Sequence, residues 1–72
     1  MTFGSRLKEL RKSNKAKQKD ICEYIGISIR GYQFYESDDK EPTLDRLKKI
    51  ADFYNVSTDY LLNRTDNPQI NQ

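Results

Sequence analysis

The sequence predicts an all-α domain of five short helices, and three observations carry that prediction. Apolar residues recur at helical spacing in five stretches, each short. Serine, threonine, glycine or asparagine stands where those stretches begin or end. Two of the stretches meet through Gly26 in a joint too short for anything but a sharp turn. With 72 residues the chain has room for a single domain with one modest core.

Phe3, Leu7 and Leu10 stand at i, i+4 and i+7 among charged residues, so the first helix runs from about Phe3 to Ser13 or Asn14. The link from Asn14 to Lys17 is polar. A second helix is predicted over Gln18 to Ile25, with Ile21, Cys22 and Ile25 on one face and Asp20 in the first turn, where the helix dipole favours an acid. Gly26 ends it as a residue free to take positive φ. Ser28 then caps a third helix reaching about Glu36, with Ile27 placed to pack just before it. Gly31 inside that helix costs about 1 kcal/mol relative to alanine, so it either permits a close approach or loosens the helix.

Residues 37–42 form a polar loop. Thr43 caps a fourth helix in which Leu44, Leu47, Ile50, Ala51 and Tyr54 make one apolar stripe, ended by Asn55. Ser57 caps a short fifth helix packed by Tyr60, Leu61 and Leu62, with Asp59 in its first turn. Residues 63–72 are polar without apolar period and are expected to form a flexible tail.

Composition narrows the function. With no histidine and a single cysteine, Cys22, neither an internal disulfide nor a structural zinc site can be assembled, and no nucleophile and base arrangement is available. No metal, cofactor or catalytic activity is therefore expected. No apolar run approaches a membrane span, so a cytoplasmic protein is expected. The net charge of +2 hides an asymmetry. Residues 1–19 carry seven basic groups against Glu9 alone, a net +6, and the rest of the chain is net −4. A basic third suits a phosphate-facing surface, although solvated lysines would give the same count.

The ordered set Gln18-Lys19-Asp20-Ile21-Cys22-Glu23-Tyr24-Ile25-Gly26-Ile27-Ser28, then Tyr32, Tyr35 and Glu36, Glu41-Pro42-Thr43, Ile50-Ala51-Asp52 and Val56 to Leu62 resembles the Cro/repressor helix-turn-helix family, also called the xenobiotic response element family. The resemblance covers about residues 5–62. It implies a lambda-repressor-like domain over 1–62 that binds double-stranded DNA as a transcriptional regulator, most often a repressor, with the helix-turn-helix at the second and third helices. It also implies a homodimer formed through the C-terminal helices on a pseudo-palindromic operator, associated with the nucleoid when bound. The alternative is a helical protein-interaction module with weak or no DNA affinity.

By the same resemblance Ile29, Arg30, Gln33 and Phe34 are the base-reading positions. Arg30 suits guanine, Gln33 suits adenine, and Ile29 or Phe34 suits a thymine methyl, with packing an equal alternative for those two. Gln18, Lys17, Lys19, Ser28 and Lys40 are the phosphate candidates. Arg11 and Glu36 fall on positions that pair the first helix to the end of the third. Cys22 stands where the family places a small residue, and core packing accounts for it. Two departures are expected to matter. Ser37-Asp38-Asp39 puts acid where the family has a phosphate-binding lysine, which should lower DNA affinity. Tyr32 and Tyr35 exceed the usual aliphatic residues in size, so each hydroxyl requires a partner or a path to solvent.

Overall fold

The structure is a computed structural model that describes residues 1–70. Five helices follow one another: α1 (Phe3–Ser13), α2 (Gln18–Ile25), α3 (Ile29–Glu36), α4 (Leu44–Tyr54) and α5 (Thr58–Leu61), with no strand among the described residues. The predicted caps are in place. Ser28, Thr43 and Ser57 each accept from a first-turn N–H through the side chain, satisfying a group that no helical carbonyl reaches. Gly26 takes φ 86° and Asn55 takes φ 54°, the left-handed ends that stop α2 and α4.

Each helix contributes one fully enclosed side chain to a common centre: Leu7, Ile21, Tyr32, Ile50 and Leu61. Burial of such a group stabilises the fold by about 1.5–3 kcal/mol, so the five together dominate a core this small. α1 packs on α3 and α5, α2 on α3 and α4, and α4 on α5. The short joint through Gly26 and Ile27 therefore holds α3 across α2 and supported from behind by α1.

Two apolar residues depart from the expected pattern. Leu44 is 77% exposed, so the inward stripe of α4 begins at Leu47, and Leu62 is 48% exposed just past the end of α5. Both sit at helix ends, where the rotation that carries neighbouring residues inward leaves no partner element over them. Gly31 is not a packing glycine. An added Cβ would press only on Ser28 Oγ, 3.2 Å away.

Gly4 has the close approach instead, because a Cβ there would collide with the Glu36 backbone carbonyl. At that crossing Asp38, itself at φ 64°, accepts from the Gly4 N–H at 2.8 Å and from Thr2 Oγ1 at 2.7 Å. These bonds hold its carboxyl below the usual range. The loop after α3 is thus stapled to the start of α1.

Arg6 is also internal. Its guanidinium lies 3.9 Å from the centroid of the Tyr60 ring, donates through Nε to Asn63 Oδ1 at 2.9 Å and reaches Asp66 at 3.5 Å. The chain beyond α5 folds back to the start of that helix, where the Ser57 N–H donates to the Pro68 carbonyl at 3.0 Å. Asn71 and Gln72, the last residues of the expected tail, lie outside the described residues.

Candidate nucleic-acid interface

The surface shared by α2 and α3 starts from a difference in capping. Thr2, Ser28, Thr43 and Ser57 cap their helices through the side chain, whereas the N-cap of α2 is Lys17, which makes no such bond. Asp20 accepts from the Lys17 N–H at 3.1 Å and orders the turn. A helix start without a side-chain acceptor, flanked by Lys17 and Lys19, favours an anion. Lys19 is partly engaged on its own helix, with Glu23 3.9 Å away, a pair too exposed to count for much.

Gln18 opens the helix and faces α3. Its Nε2 lies 3.5 Å from Glu36 Oε1, and its Oε1 accepts from Gln33 Nε2 at 3.2 Å. Behind it Arg11 grips Glu36 with two bonds, Nε to Oε2 at 2.8 Å and Nη2 to Oε1 at 3.3 Å. The pair expected between α1 and the end of α3 is therefore present. Burial alone would raise the Glu36 carboxyl, but the bonds and charge of Arg11, with the nearby Tyr32 hydroxyl and the Gln18 amide, outweigh it and hold the carboxyl below its ordinary value.

Over the chain as a whole this order of parts has a name. Residues 7–61 match the helix-turn-helix family. The chain belongs to that family.

Similarity to individual members agrees. The chain is 44% identical over 66 residues to YobD, an uncharacterized HTH-type transcriptional regulator of Bacillus subtilis, covering 92% of this chain and 59% of that protein. It is 41% identical to the Bacillus subtilis HTH-type transcriptional regulator ImmR, covering 92% of this chain and 52% of that one. To the cryptic phage CTXphi transcriptional repressor RstR of Vibrio cholerae it is 39% identical, covering 89% and 57%. The chain spans a little over half the length of these curated relatives. The crystal structure of the P22 c2 repressor in complex with a synthetic operator superposes with a TM-score of 0.84 at 26% identity, covering 90% of this chain and 98% of that one.

On the helix-turn-helix the side chains sort by exposure. Ile29 is 45% exposed, and Arg30 and Gln33 are exposed beside it. Phe34 is half-buried with cations at its ring, the Arg30 guanidinium carbon 5.8 Å and Lys40 Nζ 4.5 Å from the centroid. Lys40 reaches that ring because the N–H groups of Asp39 and Lys40 both donate to the Phe34 carbonyl, wrapping the loop under α3. Ser28 Oγ is occupied as a cap by the Gly31 N–H at 3.0 Å, so toward a phosphate it has only its own proton to give.

The acidic pair does not act as one. Asp38 turns inward to α1, so the expectation of two carboxylates facing a nucleic-acid backbone is corrected to one, Asp39, which accepts from Ser37 Oγ at 2.6 Å. Of the large tyrosines, Tyr35 finds Arg46, whose Nη1 donates to its hydroxyl at 3.0 Å. Tyr32 is buried, and its hydroxyl lies near Glu36 and Tyr54 without a contact of hydrogen-bond geometry to any described residue. Burial pushes the Tyr54 phenol up to about 12. Cys22 is buried, which raises its thiol, and its Sγ sits 3.8 Å from the Ser28 carbonyl at the α2 to α3 contact, as a packing residue does. The parts that sequence reasoning missed, Gly4, Arg6 and Asp38, all act through partners distant in the chain.

Proposed function

We propose that this chain binds double-stranded DNA with sequence preference as a transcriptional regulator, of the repressor kind that RstR and P22 c2 are named for, with α3 in the major groove. One observation carries the reading. The first turns of α3 leave Ile29, Arg30 and Gln33 exposed beside the α2 start, which has no side-chain cap, so base readers and phosphate holders lie on one surface. Arg30 suits a guanine, Gln33 an adenine, and Ile29 with the outer face of Phe34 a thymine methyl. Gln18, Lys17, Lys19, Ser28 and Lys40 are the phosphate contacts, with residues 1–62 as the DNA-binding unit.

The partner copy is proposed to meet the C-terminal helices. Phe3, Leu44, Leu47 and Leu62 line an apolar groove rimmed by Glu41 and Pro42, with Leu44 mostly and Leu62 about half in solvent. A two-fold dimer through this groove reads a pseudo-palindrome whose half-sites lie about one turn, roughly 34 Å, apart. No helix among the described residues is long and apolar enough to cross a membrane, and the reading places the protein in the cytoplasm, on the nucleoid when bound. A catalytic role has no support in a chain without histidine whose one thiol is buried and raised. With Asp38 bonded to the start of α1, only Asp39 sets acid against a DNA backbone, which weakens the case for a protein-interaction module in place of a DNA binder.

Selection of duplexes from a random pool by the purified chain, followed by titration of the selected site at low and physiological salt, tests the proposal. The expected result is a two-fold-related sequence whose affinity falls steeply with salt as counterions are released. Failure of any sequence to enrich at low salt would contradict it.

A further inference from the structure

We propose that Asp39 is a base-reading residue: its carboxylate, seated by Ser37 just past the end of α3, accepts from the exocyclic amine of a cytosine in the major groove. The inference rests on the placement of α3 in that groove proposed above and adds a specificity-determining residue outside the helix.

A shallow hollow on the exposed side of α3 is lined by Arg30, Gln33, Phe34, Ser37 and Asp39. Arg30, Phe34 and Ser37 stand at i, i+4 and i+7, so they follow one face of the helix. Asp39 belongs to the loop but is tied to that face twice. Its N–H donates to the Phe34 carbonyl at 2.9 Å, and Ser37 Oγ donates to its Oδ2 at 2.6 Å. These bonds fix the carboxylate in the wall of the hollow.

Two cations stand nearby and neither neutralises it. The Arg30 guanidinium carbon and Lys40 Nζ lie over the Phe34 ring, 5.8 and 4.5 Å from its centroid, and among the described residues no cation comes within ion-pair distance of Asp39. With Oδ2 taking one bond from Ser37, the exposed carboxylate keeps most of its capacity to accept.

A carboxylate can only accept, and this decides among the four bases. Guanine presents O6 and N7 and thymine presents O4, so each sets a lone pair against it. Adenine offers its N6 amine beside the N7 acceptor, whereas cytosine offers its N4 amine with no acceptor next to it on the same base. Cytosine is therefore the base that Asp39 favours. Against the phosphates the same charge is unfavourable on every sequence, and only the right base offsets it. An acid at this position thus exchanges general affinity for selectivity.

The test measures Asp39→Ala on the selected duplex and on a panel with each base pair changed in turn. At one pair the preference for cytosine over guanine and thymine should fall about tenfold, with a common gain in affinity at the others. Ser37→Ala, which removes the donor that seats the carboxylate, should relax the same pair by a smaller factor. Both side chains are exposed, so the melting temperature should stay close to that of the parent, which separates loss of reading from loss of fold. An equal gain on every duplex would overturn the proposal and leave Asp39 an acid that only repels phosphate. Arg30→Ala on the same panel keeps the two readings apart. If it relaxes a pair while Asp39→Ala gains equally on all, the role of Asp39 alone falls; if neither variant relaxes a pair, the placement of α3 falls with it.

Discussion

Arg11 and Glu36 show how a buried pair specifies geometry at a cost. The Glu36 side chain is 4% exposed and that of Arg11 is 20% exposed, so the partners are not equivalent. Arg11→Ala strands a carboxylate beneath α3 and should destabilise the domain by about 3 kcal/mol at neutral pH. Glu36→Gln leaves a guanidinium with a path to water and should cost less. The signs with pH differ between parent and variant. In the parent the Glu36 carboxyl is held low, so its contribution is present above the unfolded-state value of roughly 4.3 and is lost as pH falls through the folded-state value. In Arg11→Ala burial is opposed only by the long Gln18 contact and the nearby Tyr32 hydroxyl, so the carboxyl rises and protonation relieves the defect. Urea denaturation at pH 7 and pH 5 should therefore show the difference between the two proteins narrowing on acidification. A difference that stays constant would mean that Glu36 is not stranded.

At the scale of the elements, Gly4 and Lys15 make opposite claims. Alanine in place of a helical glycine ordinarily gains about 1 kcal/mol, yet Gly4→Ala should destabilise by about 2 kcal/mol because the new Cβ strikes the Glu36 carbonyl where α1 crosses the end of α3. Lys15 follows α1 at φ 53°, a conformation that disfavours a β-carbon, and Lys15→Gly should stabilise by about 0.5–1 kcal/mol. Thermal melts of both variants check the signs, each kcal/mol being worth about 4–8 °C in a domain of this size. The elements themselves were legible in the sequence because caps and periodicity are local. Ser28, Thr43 and Ser57 announce the helix starts, and Gly26 and Asn55 the ends. Leu44 and Leu62 were misread because a stripe of apolar residues does not say where the neighbouring element stops. Arg6 and Asp38 were illegible in their roles, since each works through partners far along the chain, Asn63 for Arg6 and Gly4 for Asp38. The base-reading surface was found by resemblance, whereas its internal bonding from Glu36 through Gln18 to Gln33 required the structure.

The whole molecule divides its basic groups between two tasks. Arg6 and Arg11 of the cationic N-terminal third are spent on internal pairs, while Lys17 and Lys19 flank the start of α2 on the surface proposed to meet phosphate. The groove at Leu44 and Leu62 is the proposed seat of a second copy. Leu62→Asp should shift sedimentation toward the monomer and weaken binding to a two-half-site duplex more than to a single half-site, and equal weakening on both would argue against a dimer contact there. The central claim, that α3 reads base edges, is tested most directly by the affinity of Arg30→Ala for the selected duplex and for a panel with each base pair changed in turn. The expected result is a loss of about 1–3 kcal/mol on the selected site with preference relaxed at one base pair and kept at the others. A uniform loss across the whole panel would make Arg30 a phosphate contact and contradict the placement of α3 in the groove.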